Sequence, residues 1–493
     1  MMMLVLRWMK TRKIGESNLP VHLTCPHSKR PSVAFNALVI VAAVNAPGKS
    51  DAYSQPLSSI SMCQLPQVSW LDSPLSLKGS STPTWLLEPH DRRMSSKLPT
   101  LAIEVVETIT VLIEPAELRS LRLVCRGLNE KTLRDFGLTN FATVQTDLSC
   151  KSLQRLQDIS ESEHLAVYVQ YLHIKCTDDG KLGRGFDWRR HPSGCLADEP
   201  NGADLLRDIL SQKLLKCRSF HIHSYDEYQP PHETDCLIPS DAAGIILSIV
   251  AKAGLALRAF TIQCSHDGNG RLDTPRLQMP LSQTPDFVAA WSHIEELVLD
   301  YAMTLDQGVW VIHLIASAPR LRKLSLGFYE AGTSFTTLLG SLHKLNRLEE
   351  LSLRSANVTV ENISTLLLNN CETLRSLTLR HVTMENDGTW ATVLENMKGQ
   401  LPYLQNLLLF WLKQETNDRR VIFSKMTRYP VVPGSEDPGP NRRLKYDRRR
   451  IESVSELIRL RYWGGGRRVV GVEYHGMGID HVLSALADTV ETT

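Results

Sequence analysis

The chain carries no excess of either charge. Its 55 Lys and Arg residues face 53 Asp and Glu residues, a formal net charge of +2. No global field therefore makes nucleic acid the default partner, and no acidic excess argues for wholesale disorder. Cysteine is sparse, ten in 493 residues, with no C-x-x-C pair. That argues against a disulfide scaffold or a zinc finger and fits reduced thiols inside a cell. No apolar run reaches the roughly 18 residues of a membrane span. The longest, Val33 to Val44, has the three parts of a secretory signal but starts more than thirty residues in. It reads as a chance apolar patch.

Catalytic signatures are also missing. There is no H-E-x-x-H, no G-x-S-x-G and no G-x-G-x-x-G. Gly48-Lys49-Ser50 lacks the glycine five residues earlier that a phosphate loop needs, since Ala43 stands there. The stretch with His221, His223, Asp226, His232, Glu233, Asp235 and Cys236 holds possible metal ligands. His221 and His223 flank Ile222, so on a strand they point away from its buried face. The stretch reads as a polar loop, and no metal, cofactor or catalytic residue is expected. The nine tryptophans are scattered and read as packing residues.

Residues 1–97 show no sustained period, and their second half is rich in Ser and Pro. Such a leader buries too little apolar surface to offset chain entropy and is expected to be disordered. Residues 98–145 hold apolar residues at helical spacing. Val105, Val106, Ile109, Leu112 and Ile113 form a first helix. After Pro115, a second carries Leu118, Leu121, Val124, Cys125 and Leu128. Two such helices are too small to fold alone and leave apolar surface to be covered.

The middle of the chain repeats. Apolar residues at positions 1, 4 and 6 recur as Ile294-Leu297-Leu299, Leu321-Leu324-Leu326, Leu348-Leu351-Leu353, Leu374-Leu377-Leu379 and Leu404-Leu407-Leu409. Looser copies are Val169-Leu172-Ile174, Cys217-Phe220-Ile222 and Leu257-Phe260-Ile262, with a further candidate at Val469-Val472-Tyr474. Positions 4 and 6 share one face of a strand. Helical stretches follow at Gln307–Ala316, Phe335–Leu345, Val360–Leu368 and Thr389–Met397. One strand and one helix cannot bury their own apolar sides, but stacked copies can. The predicted fold is an α/β solenoid of parallel strands with outer helices, irregular over 146–290 and regular over 291–415. A Pro/Gly-rich basic loop over 416–447 follows. A basic run across its end, containing Arg442, Arg443, Lys445, Arg448, Arg449 and Arg450, reads as a solvated loop edge and helix start. Residues 448–493 are expected to form a terminal repeat and capping helix, opening with a short helix over Ile451, Val454, Leu457 and Ile458.

The periodic region resembles the leucine-rich-repeat family in its longer form. It departs from that family eight residues after each first position, where Ala302, Tyr329, Ala356, Val382 and Leu412 replace the usual Asn or Cys. No side-chain amide ladder is therefore expected to satisfy the turn backbone. The helical stretch resembles the F-box family through Glu104, Val105, Ile109, Ile113, Pro115, Glu117, Leu118, Leu121, Leu123, Val124 and Cys125. The opening Leu98-Pro99 stands three residues upstream of the usual spacing. Either Thr100-Leu101-Ala102 is an insertion, or Leu101-Ala102 replaces the Leu-Pro pair.

Together these resemblances imply a non-catalytic substrate-recognition subunit of an SCF-type cullin-RING E3 ubiquitin ligase, cytoplasmic and/or nuclear. Contacts to the Skp-type adaptor would come from Leu98, Pro99, Glu104, Val105, Ile109, Ile113, Pro115, Leu118, Leu121, Val124 and Cys125, which also include the motif's own core. A protein substrate would meet the outward strand positions Arg322, Lys323, Ser325, Glu349, Glu350, Ser352, Arg375, Ser376 and Thr378. No nucleic acid or membrane is expected as a partner. The competing expectation is a repeat scaffold without ligase association.

Overall fold

The computed structural model describes residues 100–492 apart from 177–181, 193, 198–201, 225–235, 265–271, 278, 304, 329–341, 343–344, 387, 415–418, 424–426, 429–443, 447–448, 452–456, 464–467 and 477–478. The leader, Leu98, Pro99 and most of the helix expected over Phe335–Leu345 lie outside the described residues. The chain divides into two compact units, 1–136 and 137–493.

The described part of the first unit is helical. It holds α1 (Ile103–Leu112), α2 (Pro115–Arg122), α3 (Arg126–Lys131) and the start of α4 (Leu133–Phe141). Pro115 opens α2, and the Glu117 side chain accepts a hydrogen bond from the Glu114 N–H at 3.3 Å, one arm of a capping box. The second helix is shorter than its apolar spacing predicts. It stops at Arg122, Leu123 to Cys125 form a break, and Leu128 belongs to α3. Cys125 is extended (φ −162°, ψ 162°), which ends the helix before its apolar stripe does.

The second unit is mixed α/β and is built on a large, mostly parallel sheet. Its strands in chain order are β1 (Thr143–Thr146), β2 (Tyr171–Lys175), β3 (Ser219–Ser224), β4 (Ala259–Cys264), β5 (Glu296–Tyr301), β6 (Lys323–Phe328), β7 (Glu350–Arg354), β8 (Asn357–Val358), β9 (Ser376–Arg380), β10 (Thr383–Met384), β11 (Asn406–Phe410), β12 (Lys413–Gln414), β13 (Arg419–Phe423), β14 (Thr427–Arg428), β15 (Leu444–Tyr446), β16 (Arg449–Ile451), β17 (Leu457–Trp463), β18 (Arg468–His475) and β19 (Val490–Thr492). The main sheet runs β1-β2-β3-β4-β5-β6-β7-β9-β11-β18-β17. Every pair from β1 to β11 is parallel, and β18 and β17 close the series antiparallel. Helices intervene as α5 (Cys150–Glu161), α6 (Glu163–Ala166), α7 (Gly202–Asp208), α8 (Pro239–Ala253), α9 (Pro285–Trp291), α10 (Leu305–Ala316), α11 (Val360–Asn369), α12 (Trp390–Met397) and α13 (Ile479–Thr489).

The triplets explain this sheet. Position 4 aligns as Leu172, Phe220, Phe260, Leu297, Leu324, Leu351, Leu377 and Leu407. Position 6 aligns as Ile174, Ile222, Ile262, Leu299, Leu326, Leu353, Leu379 and Leu409. All are buried and join the apolar faces of the helices in one continuous core. Each such side chain contributes roughly 1.5–3 kcal/mol by leaving water. The looser upstream copies sit in the same register as the strict ones. One strand escaped the pattern: β1 carries Val144 and buried Thr146 at positions 4 and 6, so the boundary drawn at 145 cuts through it. The Thr146 hydroxyl lies 2.9 Å from Ser152 Oγ and accepts the Leu148 N–H, which makes a polar residue tolerable there.

The C-terminal part differs from expectation. Leu457 and Ile458 lie in β17 and Ile451 in β16, where a short helix is predicted. Alternation of Leu457, Arg459 and Arg461 with Ile458, Leu460 and Tyr462 is period two, and β18 pairs with all of them. Val469, Val472 and Tyr474 lie in β18, but that strand is antiparallel to β11, so this segment is no further parallel copy. The predicted loop contains β13, β14 and β15, with Lys445 in β15, while Arg449 and Arg450 lie just beyond it in β16. Arg442, Arg443 and Arg448 lie outside the described residues. The final helix, α13, forms as predicted and packs on α12.

Candidate functional site

In the helical unit the structure separates residues that the apolar spacing merges. Val106 and Leu128 form a small buried core, with Leu101, Leu121 and Cys125 against it. Ile109 and Leu118 are also buried. These two candidate adaptor contacts therefore belong to the interior. Val105, Ile113 and Leu121 are half-buried, and Glu104 and Pro115 are exposed. The strongly exposed apolar side chains are Val111 and Leu112 at 80% each, Leu123 at 87% and Val124 at 54%. They sit at the end of α1 and in the α2–α3 break. Of these only Val124 is among the candidate contacts; Val111, Leu112 and Leu123 are not, because spacing does not separate the outer face from the inner.

Polar contacts hold the unit's backbone. Lys131 Nζ donates to the Leu101 carbonyl at 2.6 Å, and Arg122 Nε donates to Asn129 Oδ1 at 2.8 Å. The Arg122 guanidinium also lies over the Phe136 ring, 3.6 Å from its centroid. The Thr110 hydroxyl bonds the Asp135 carboxylate. The exposed apolar groups are thus carried on elements tied from within.

In the second unit, residues between the buried ladder positions line the opposite face of the sheet. Lys323, Glu350 and Ser376 align across β6, β7 and β9, and Ser325, Ser352 and Thr378 align beside them. Four candidate substrate residues are engaged with one another. Arg322 Nη2 lies 2.6 Å from Glu349 Oε1, and Lys323 Nζ lies 2.9 Å from Glu350 Oε1. Such solvated pairs are worth about 0–1 kcal/mol, so a partner could exchange them at little cost. Arg375 is exposed. The Ser325-Ser352-Thr378 row is a hydroxyl strip between charged rows. In the next row Arg354 Nη1 reaches Asp300 Oδ2 at 2.9 Å. The pair spans two strands because Gly327, the residue in register between them, has no side chain.

Toward the other end of this face three histidines converge. His173 on β2 is in register with His221 on β3, and His223 lies two residues further along β3. The His173 and His221 rings stack with centroids 4.5 Å apart and planes 14° from parallel. The centroid of His223 lies 5.8 Å from that of His221 and 6.1 Å from that of His173. Burial pushes the His173 imidazole down to about 4, helped by His221, His223 and Lys175. Burial also holds His221 below the ordinary imidazole value, against a hydrogen bond with Gln263 that raises it. Both rings are therefore neutral near pH 7. The sequence places His221 and His223 on the outward face correctly. His173 goes unnoticed, although aligning position 5 of the upstream triplets puts it beside His221. Of the other possible ligands in that stretch, Asp226, His232, Glu233 and Asp235 lie outside the described residues, and Cys236 is half-buried.

Three tryptophans are fully buried and serve packing as expected. The indoles of Trp188, Trp291 and Trp390 donate to the carbonyls of Gly183, Leu314 and Lys413. Among the described residues no helix is long and apolar enough to cross a membrane. No protein-family model matches the chain, and no curated protein does either.

Proposed function

We propose that this chain is a substrate-recognition subunit of an SCF-type cullin-RING E3 ubiquitin ligase. Its helical unit docks on the Skp-type adaptor as an F-box does. Its sheet is the inner surface of a leucine-rich-repeat solenoid that captures a protein substrate. The chain performs no covalent chemistry; its contribution is to raise the effective concentration of substrate lysines at the conjugating enzyme. Such a receptor works in the cytoplasm, the nucleus or both.

The observation that carries this reading is the exposure of Val111, Leu112, Leu123 and Val124 on so small a unit. Burying each of these side chains is worth roughly 1.5–3 kcal/mol before the cost of association is subtracted. The in-register ladder and the polar face opposite it support the repeat part of the reading, since that face offers hydroxyl and exchangeable charge in rows. Co-purification of the full chain with a Skp-type adaptor tests the proposal. Wild type is expected to retain the adaptor, and Val111→Asp with Leu123→Asp to lose it with an unchanged circular dichroism spectrum. Failure of wild type to co-purify, or full retention by the double variant, would overturn the reading. Ile109 and Leu118 are unsuitable probes, because aspartate at a buried position disrupts the unit itself.

A further inference from the structure

We propose that His173, His221 and His223 form a binding site for one divalent transition-metal ion of the zinc class, with a coordination position left open on the sheet face. The fold sets up the triangle. Residues two apart on a strand share a face, and a neighbouring in-register strand brings a third residue alongside. His221 is the shared corner, flanked along β3 by His223 and across the sheet by His173. One ligand nitrogen from each ring lies within 4.8 Å of the other two. A tetrahedral zinc ion with bonds of about 2.0–2.1 Å wants its nitrogens roughly 3.3 Å apart. Closing that gap takes side-chain rotation by the two rings that stack almost parallel, with no change of backbone register.

A second observation points the same way. The Nε2 atoms of His173 and His221 are buried, and no protein group hydrogen-bonds either. A buried polar atom left in that state costs about 1–3 kcal/mol, and a shared metal ion would satisfy both. The hydrogen bond between His221 and Gln263 supplies the orienting outer contact that metal-bound imidazoles generally have. Lys175, near His173, opposes a cation, but its charge rides on a flexible stem. Three imidazoles select zinc, copper or nickel over magnesium or calcium, which prefer oxygen. With three protein ligands, the remaining position is open to water or to a donor group of a bound partner.

Calorimetric titration of the untagged full chain with Zn2+ tests the site, supported by Co2+ absorption as a report of coordination geometry. The expected result is one ion per chain at micromolar or tighter affinity, with tetrahedral cobalt bands. His173→Ala and His223→Ala should each weaken binding at least about tenfold while leaving the spectrum of the metal-free chain unchanged. Histidine acylation of wild type by diethylpyrocarbonate, read by peptide mass, needs no variant; Zn2+ should protect these three residues. Absence of saturable binding up to about 100 µM, equal affinity in both variants, or unprotected acylation would overturn the proposal.

Discussion

Replacing Asp241 with asparagine should destabilise the second unit more than any other single change of charge among its described residues. The carboxylate is 1% exposed. It accepts two hydrogen bonds from Arg190, at 2.6 and 2.8 Å, one from Arg276 at 3.1 Å and one from the Ile238 N–H at 2.9 Å. Arg276 is itself buried and keeps a second carboxylate, Asp273 Oδ2, at 2.8 Å. An amide removes the charge and one acceptor oxygen, and turns a donor toward donors. Breaking a buried ion pair costs about 3–5 kcal/mol because the remaining charge is left without compensation. Arg190 retains some solvent access and Arg276 retains Asp273, so the lower part of that range, about 3 kcal/mol, is expected. Urea unfolding followed by circular dichroism measures it. With a slope near 3 kcal/mol per molar, the midpoint should fall by about 1 M. The double variant with Arg190→Met should be less harmed than the sum of its parts, because it removes the stranded cation along with its partner. A loss below about 1 kcal/mol for Asp241→Asn, or strict additivity in the double variant, would refute the reasoning.

Other outcomes follow from the same geometry. Leu409→Ala should cost about 2–5 kcal/mol, as a buried ladder residue leaves a cavity, whereas Leu408→Ala on the opposite face should cost under about 1 kcal/mol; paired denaturation curves check this. The metal-free chain should weaken in acid through His173. The unfolded imidazole takes its proton near 6.5 and the folded one near 4, so the unfolded state binds more protons between those values. The stabilisation is complete above pH 6.5, falls as the pH drops toward 4 and is level below that. The shift corresponds to roughly 3 kcal/mol, which partial exposure of the ring reduces to about 1–2 kcal/mol. Urea midpoints at stepped pH with a chelator present should show this slope in wild type and a shallower one in His173→Gln; equal slopes would contradict it.

What the sequence made legible was whatever depended on a period. Fourteen leucines at fixed spacing gave the strands, their common face and the helices between them, because burial on one face forces a period of two and then a turn. Thr146 broke the apolar rule while satisfying its hydroxyl locally, so β1 was hidden. The antiparallel end was hidden for another reason: Val469-Val472-Tyr474 carries the same spacing as a parallel copy, and spacing is blind to strand direction. Contacts between distant segments left no trace in spacing. Asp241 meets Arg190 and Arg276 across 51 and 35 residues. These contacts fasten the long segments that make the upstream steps irregular, and nothing local marks them. The helical unit shows the same limit. Helical spacing selects apolar residues, but Ile109 and Leu118 turn inward while Val111 and Leu123 turn outward, and that choice is made by packing.

The missing amide ladder shows how a departure from a familiar pattern is absorbed. Ala302, Ala356, Val382 and Leu412 occupy the turn position and are all buried, so none offers a polar group to the backbone. The three turns after β7, β9 and β11 instead pass through Ser355, His381 and Trp411, each in the left-handed region, with φ of 54°, 55° and 54°. A non-glycine residue there costs roughly 1–2 kcal/mol, and the turn keeps it because the main chain gains partners. Ser355 N–H donates to the Arg380 carbonyl and His381 N–H to that of Phe410, each at 2.8 Å, so every turn is completed by the strand after it. One step on the bonds run the other way: the Thr383 and Lys413 N–H groups donate back to the carbonyls of Ala356 and Val382 in the preceding turn. A series closed in this way always lacks one acceptor at its end. Trp411 N–H finds it at 2.9 Å on Val470, in the antiparallel strand β18. The hairpin of β17 and β18 therefore supplies the acceptor that a further parallel copy would have supplied, and it covers an edge that would otherwise invite pairing with another chain.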